Sequence, residues 1–192
     1  MYCQALAGAS MDIAPTHELV QKSIGWISKE NPTTEGSTVY LPPVADQYAD
    51  KDENFGLFKV IATHQVAHLE FGSFAFDFNK PSSMFQDLRP RLVALQSVQS
   101  GDIQIKDDVF QVEAGLITDM HLFFNLLNDR QLALDIFTVV EDGRLDTRVE
   151  HEYAGIRSYY RRVQQDSLSE RPSIRTLPVR EALVELLIRL SL

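Results

Sequence analysis

Residues 54–72, NFGLFKVIATHQVAHLEFG, decide how the chain is read. Asn54 has the side chain of an N-cap and Gly72 is placed to end a helix, so the stretch predicts a helix from Asn54 to about Glu70. Leu57, Ile61, His64 and His68 fall at i, i+4, i+7 and i+11, which is one face. Two histidines four apart on one face point the same way and can share one metal ion. The frame is Thr63-His64-Gln65-Val66-Ala67-His68. In zinc peptidases the residue after the first histidine is a glutamate that takes a proton from metal-bound water. Glutamine is nearly isosteric with glutamate, but its amide is no base. The frame is therefore fit to hold zinc and lacks the group that hydrolysis needs. The residues alone leave a second reading open, in which His64 and His68 are packed, hydrogen-bonded core side chains.

Outward from this helix the chain reads as mainly α with a minor β element. Pro15 precedes a helix expected over Thr16 to Lys29, with Val20, Ile24 and Ile27 at helical spacing. Residues 31–37 are loop by composition. Thr38-Val39-Tyr40-Leu41 is β-branched and aromatic and is stopped by two prolines, which predicts a short strand. Residues 42–53 are polar and acidic, a loop. A helix from about Ser83 to Ser97 is expected to be bent or interrupted near Pro90. Residues 100–102 mark a turn, and Ile103 to Val112 an irregular or extended segment. Thr118 caps a helix through Leu127, and Asn128-Asp129 separates it from a long helix, Leu132 to Glu150, which tolerates Gly143. Helices over Gly155 to Gln165 and Val179 to Leu190 complete the pattern, joined by a connector over Ser169 to Pro178. The expected architecture is one helical domain over residues 1–192, arranged in a zincin-like way around the HxxxH helix.

The third metal ligand is sought on the long helix. Glu141 follows the apolar run Ile136-Phe137-Thr138-Val139-Val140, which places its helix against the core, and a carboxylate is a common third ligand. The competing reading of Glu141 is a salt bridge to Arg144 or Arg148. Asp135 and Asp142 are candidates to orient a ligating histidine from behind. Glu70 points off the histidine face and reads as a solvated charge. His17, His121 and His151 have no spaced partner and read as structural or solvent-facing. Arg157-Ser158-Tyr159-Tyr160-Arg161-Arg162 is a local basic, aromatic patch that reads as a solvated helix face in preference to a contact surface.

Composition narrows the function classes. A net charge of −9 repels phosphate backbones and argues against nucleic acid. Cys3 is the only cysteine, so an intrachain disulfide and a cysteine zinc site are both excluded, which fits a reducing, cytoplasmic compartment. The first ten residues, MYCQALAGAS, have no basic n-region, and no apolar run reaches membrane-span length. Glycine-rich phosphate loops, a GxSxG elbow and a D-x-S-x-S adhesion motif are missing from the sequence.

Four segments in order carry a resemblance: Thr38–Pro42, His64–Phe74, Asp135–Arg144 and Arg180–Glu185. Together they resemble NorD/CbbO-type proteins, the accessory proteins of nitric oxide reductase and of Rubisco activation, over residue 35 to the end. The resemblance implies an accessory protein, not a free-standing enzyme. It implies a MoxR-type AAA+ ATPase as partner and a target enzyme complex that the pair activates. Such proteins normally carry a C-terminal von Willebrand factor A domain. The resemblance covers only the region before it, so this sequence is expected to be a fragment of a longer protein. Three functions follow for testing: a non-catalytic scaffold or adaptor, a zinc-binding metallopeptidase-like domain disarmed at Gln65, and a purely structural helical domain. In the first two, His64, His68 and Glu141 are the expected metal ligands and zinc the expected ion.

Overall fold

A computed structural model describes residues 2–7, 11–16, 33–35, 37–81, 88–100 and 119–192. Its elements, in chain order, are α1 (Tyr2–Ala7), β1 (Asp12–Pro15), β2 (Thr33–Glu35), β3 (Thr38–Leu41), α2 (Lys51–Glu70), α3 (Arg89–Ser100), α4 (Asp119–Asn125), α5 (Arg130–Glu152), α6 (Arg157–Glu170) and α7 (Val179–Ser191). Among the described residues, the fold is mainly helical with one small sheet. Among the described residues, no helix is long and apolar enough to cross a membrane.

The sheet has three strands in the order β1-β3-β2. β3 is the strand expected from its β-branched and aromatic residues, with the same bounds. It pairs in parallel with β1, Asp12 opposite Thr38 and Pro15 opposite Leu41. It pairs antiparallel with β2, Glu35 opposite Thr38 and Thr33 opposite Tyr40. β2 corrects the loop expected over 31–37: two β-branched threonines and a two-residue Gly36-Ser37 link are hairpin signals. Pro15 closes edge strand β1, where a missing N–H costs least, and Thr16 follows it in a 3-10 conformation. Residues 17–29 of the expected first helix, the segment 101–112 and the expected cap Thr118 lie outside the described residues.

Helix α2 starts earlier than Asn54. Asp50 is its N-cap, and its carboxylate accepts from the backbone N–H of Asp52 at 2.8 Å and of Glu53 at 3.0 Å. Asn54 instead ties down the preceding loop, accepting from Tyr48 N at 2.8 Å and donating to Tyr48 O at 2.6 Å. Residues 83–87 of the helix expected over Ser83 to Ser97 lie outside the described residues, and α3 begins at Arg89, next to Pro90. Pro90 stands in the first turn, where its absent N–H breaks no helical bond. Asp129 caps α5, accepting from Leu132 N at 3.0 Å.

The chain divides into two compact units, Met1–Phe74 with Thr138–Leu192, and Ala75–Phe137. In the second unit, Phe123 meets Phe76 and Phe124, and Phe124 meets Phe137, all edge to face. The Phe78 N–H donates to Asp119 at 3.0 Å, and Arg89 donates to the carbonyls of Phe78 and Lys80.

The first unit is built around α2, which buries two faces. One packs Ala62 and Val66 against Cys3, Met11, Val39 and Leu41, joining the helix to α1 and the sheet. The other packs Val60 and Ala67 against Leu145, Val149, Ile156 and Tyr160 of α5, α6 and the turn between them. Each valine, leucine, isoleucine or methionine among them, fully buried, contributes about 1.5–3 kcal/mol. On α2, Val60, His64, Ala67 and Phe71 stand at i, i+4, i+7 and i+11, so the histidines belong to the face turned toward α5 and α6.

Candidate metal centre

Helix geometry brings His64 and His68 together, with ring centroids 5.2 Å apart and rings nearly perpendicular. The end of α2 then fixes the second ring. Gly72 adopts φ 70°, a left-handed conformation that costs glycine no Cβ clash. The chain folds back, so that Ser73 N donates to His68 O at 2.9 Å and Phe71 N to Ala67 O at 2.8 Å. That reversal sets the Ser73 hydroxyl 3.0 Å from His68 Nδ1.

Helix α5 brings the carboxylates. Asp142, Leu145, Asp146 and Val149 stand at i, i+3, i+4 and i+7, and Leu145 and Val149 are fully buried. The two aspartates are thereby carried to α2 by the leucine and the valine. Asp142 Oδ1 lies 3.5 Å from His64 Nε2 and 3.8 Å from His68 Nε2. Two donors on one tetrahedral zinc, each at its usual bond length, sit about 3.3 Å apart. The three donor atoms all lie within 4.8 Å of one another, so small side-chain rotations give a ligand triangle.

Both Nδ1 atoms are taken. Asp146 Oδ1 lies 2.8 Å from His64 Nδ1 and also accepts from the Tyr160 hydroxyl at 2.7 Å. Gln164 donates to the other oxygen of Asp146 at 3.1 Å. The Tyr160 hydroxyl is 2.9 Å from His64 Nδ1 itself. On the His68 side, Ser73 also hydrogen-bonds Glu141, which Arg144 grips through two bonds of 2.7 and 2.6 Å. An imidazole that donates through Nδ1 presents Nε2 as its lone pair. Carboxylate and hydroxyl partners behind each ring thus aim both Nε2 atoms at Asp142, as the supports of a metal-bound histidine do.

The electrostatics divide the pair. Burial pushes His64 down, but hydrogen bonds and charges from Asp142 and Asp146 outweigh it and raise its pKa to about 9. Burial pushes His68 down as well, the charge on His64 adds to that, and its pKa falls to about 4. The Arg144 guanidinium holds the Glu141 carboxyl below the usual range. Burial and the Asp146 charge raise Tyr160 far above an ordinary phenol, so it stays a neutral donor.

No family model, curated protein or solved structure matches the chain. Its site therefore stands on its own geometry.

Of the residues expected from sequence, His64 and His68 come together as the helix period requires. The carboxylate that joins them is Asp142, expected only as a support. Glu141, expected as the third ligand, is instead the salt-bridge partner of Arg144, 100° around the helix from Asp142. The apolar run that pointed to Glu141 does not face inward as a whole, since Val140 is 59% exposed. Asp135 accepts from Gln131 on its own helix at 2.8 Å and is not in the cluster. The carboxylate on His64 Nδ1 is that of Asp146, which the sequence reading passed over. The i, i+3, i+4, i+7 stripe from Asp142 to Val149 was the signal that would have found it. Ser73 carried a fainter one, standing directly after the glycine that stops α2.

His17 lies outside the described residues, and two other candidates have local partners or exposure. Glu70 accepts from the Tyr153 hydroxyl at 2.5 Å, and the His151 side chain is exposed beside Glu152. The basic patch dissolves into separate contacts. Arg161 pairs with Glu150, Arg162 with Glu53, Tyr159 lies over Gly56, and Tyr160 is core.

Proposed function

We propose that this chain is a metal-binding, non-hydrolytic scaffold. It holds one divalent ion, zinc by preference, on His64, His68 and Asp142 in a zincin-like arrangement of two helices. The observation that carries this reading is the pairing of a clustered Nε2, Nε2 and carboxylate oxygen with two Nδ1 atoms engaged from behind. Nitrogen and carboxylate donors without sulfur suit zinc and other first-row divalent ions. Gln65 occupies the position of the peptidase base and has no basic atom, which favours a held ion over a hydrolytic one.

In the cell we assign the scaffold an adaptor role of NorD/CbbO type, beside a MoxR-type AAA+ ATPase and a target enzyme. What supports that role is the ordered resemblance of four segments, two of which carry the site. Its test is co-purification of the untagged chain with the ATPase hexamer. Failure of wild-type protein to associate ends the adaptor role for this segment.

The metal reading is tested by elemental analysis of protein purified without a histidine tag. Close to one equivalent of zinc is expected in the wild type, and almost none in His64→Ala or His68→Ala. Gln65→Glu adds the missing base, and chelator-sensitive peptide cleavage by that variant is the sign of a disarmed peptidase frame. Cleavage by the wild type overturns the non-hydrolytic reading. One observation favours a second reading, a metal-free network: His64 as an imidazolium lies between Asp142 and Asp146. Metal-free wild type that is strongly destabilised by His64→Ala identifies that case.

A further inference from the structure

Helix α7 buries a charge and exposes an apolar stripe. Its buried residue is Glu185, 4% exposed and gripped by Arg171 and Arg189. Val179, Leu183, Leu186 and Leu190 stand about 100° or more around the helix from Glu185. They are 79%, 59%, 42% and 82% exposed. An amphipathic helix ordinarily turns such a stripe to a core. From these exposures the stripe amounts to roughly 400 Å² of apolar surface, a size that on a monomer marks a contact site.

The stripe has the form of a coiled-coil seam. Its residues stand at i, i+4, i+7 and i+11, the alternating core positions of a heptad. The intervals of four, three and four read the same in both directions. A second copy laid antiparallel therefore sets Leu183 against Leu186 of that copy and Val179 against its Leu190, each pair made twice by symmetry. The flanks agree with this register. Arg180 falls beside Leu187 of the second copy and Arg189 beside its Ala182, so each arginine stem covers an aliphatic side chain and no like charges meet. The charge of Arg189 is already met by Glu185 in its own chain. Antiparallel helices also oppose their dipoles, which parallel ones do not. With these flanks the contact removes about 1,000 Å² from water, the size of a weak, reversible dimer.

We propose that α7 is a self-association surface, through which two copies of the chain pair as antiparallel helices along Val179, Leu183, Leu186 and Leu190. The proposal does not depend on the metal-binding reading.

Sedimentation equilibrium of the full chain over a dilution series tests it. A reversible monomer–dimer equilibrium is expected. It should strengthen with salt, because each copy carries a net charge of −9 and the contact itself is apolar. Leu183→Glu and Leu186→Glu change exposed side chains and are expected to keep the wild-type circular dichroism and melting temperature. Each should weaken the dimer at least about tenfold, since a carboxylate in the seam is left without a partner. Cysteine cross-linking reads the direction, and the native Cys3 is buried. A mixture of Val179→Cys and Leu190→Cys chains is expected to form the mixed disulfide dimer, whereas neither variant cross-links with itself. Wild type that stays monomeric at every concentration overturns the proposal. A dimer that both glutamate variants leave intact lies on another surface and overturns it too, as does a dimer that salt dissociates. Self-cross-linking of Val179→Cys without the mixed product shows a parallel pair and overturns the antiparallel assignment.

Discussion

His64 has two ring nitrogens, and the carboxylate of Asp146 on Nδ1 leaves Nε2 as the atom the proposed metal would take. Asp146→Asn keeps the shape and removes the charge. Zinc affinity is expected to fall about 10- to 100-fold, the usual cost of losing a partner behind a ligand. Asp142→Asn removes a ligand and is expected to cost far more, whereas Glu141→Gln leaves all three donors in place. Competition with a chelating dye measures all three variants, and a larger loss in Glu141→Gln than in Asp142→Asn reverses the assignment of the third ligand. The same residues set a pH dependence. A metal needs both imidazoles neutral. In the metal-free chain His68 is neutral down to about pH 4, while His64 keeps its proton up to about pH 9. Near neutrality, binding therefore expels one proton, and apparent affinity is expected to rise about tenfold per pH unit until the slope flattens near pH 9. A flat profile between pH 6 and 8 sinks that assignment of the proton. Stability of the metal-free chain carries the matching signs. The raised pKa of His64 contributes stability that is complete below its ordinary value and is lost as pH rises through about 9. The lowered pKa of His68 removes stability as pH falls from its ordinary value toward about 4. These roles were only half legible in the sequence. The HxxxH spacing fixes which histidines meet, because the helix period is local. Which of two adjacent carboxylates meets them depends on the rotation of α5 about its axis, and the exposed Val140 misdirects that choice.

At the scale of elements, α2 is held on both sides, and its junction with α5 and α6 is the one the site depends on. Leu145 is fully buried in that junction, one turn from Asp142. Leu145→Ala is expected to cost about 2–5 kcal/mol through lost burial and the cavity left behind. Zinc affinity should fall with it if the cavity lets Asp142 shift. Urea unfolding and the dye competition report the two effects, and a variant as stable as the wild type contradicts the packing described. Helix α7 is fixed by a different device. Arg171 and Arg189 both donate to the buried Glu185, and the Arg171 hydrogen bonds hold its carboxyl below the usual range. A lowered carboxylate pKa contributes stability above the unfolded value and loses it as pH falls through the folded one. Glu185→Gln is therefore expected to flatten the acid side of the stability curve. An unchanged acid limb in that variant shows that the pair adds nothing. The elements themselves were legible where pattern and length agree: β3 and the long helices α2, α5 and α7 follow directly from strand composition and helical spacing. The short strands β1 and β2 were not, since three or four residues carry too little alternation to outweigh the prolines and the loop composition around them. Gly143, an apparent weakness of α5, has a packing reason. A Cβ there would lie 2.9 Å from that of Ser191 at the end of α7.

At the scale of the whole chain, the proposed metal site and the fold of one unit are coupled. His64 and His68 are neighbours in any helical state of residues 51–70, but Asp142 reaches them only when α5 is docked. In the proposed site the native chain offers an ion three donors, whereas the unfolded chain offers at most a loose pair. An ion that prefers the native state stabilises it by mass action, by about 2.7 kcal/mol when free zinc is 100 times its dissociation constant. For a chain of this length that corresponds to a rise in melting temperature of about 5–11 °C. The two compact units make the prediction sharper. All three ligands, and every residue behind them, lie in residues 1–74 and 138–192. If the units unfold separately, zinc should move only the transition of the unit that carries the site. Amide exchange should show the same division, with protection gained in α2 and in α5 around Asp142 and none within residues 75–137. His68→Ala should melt identically with and without zinc. An equal shift of both transitions, or a shift that survives in His68→Ala, indicates binding elsewhere on this acidic surface. Absence of any shift in the wild type returns the histidine pair to the role of core side chains.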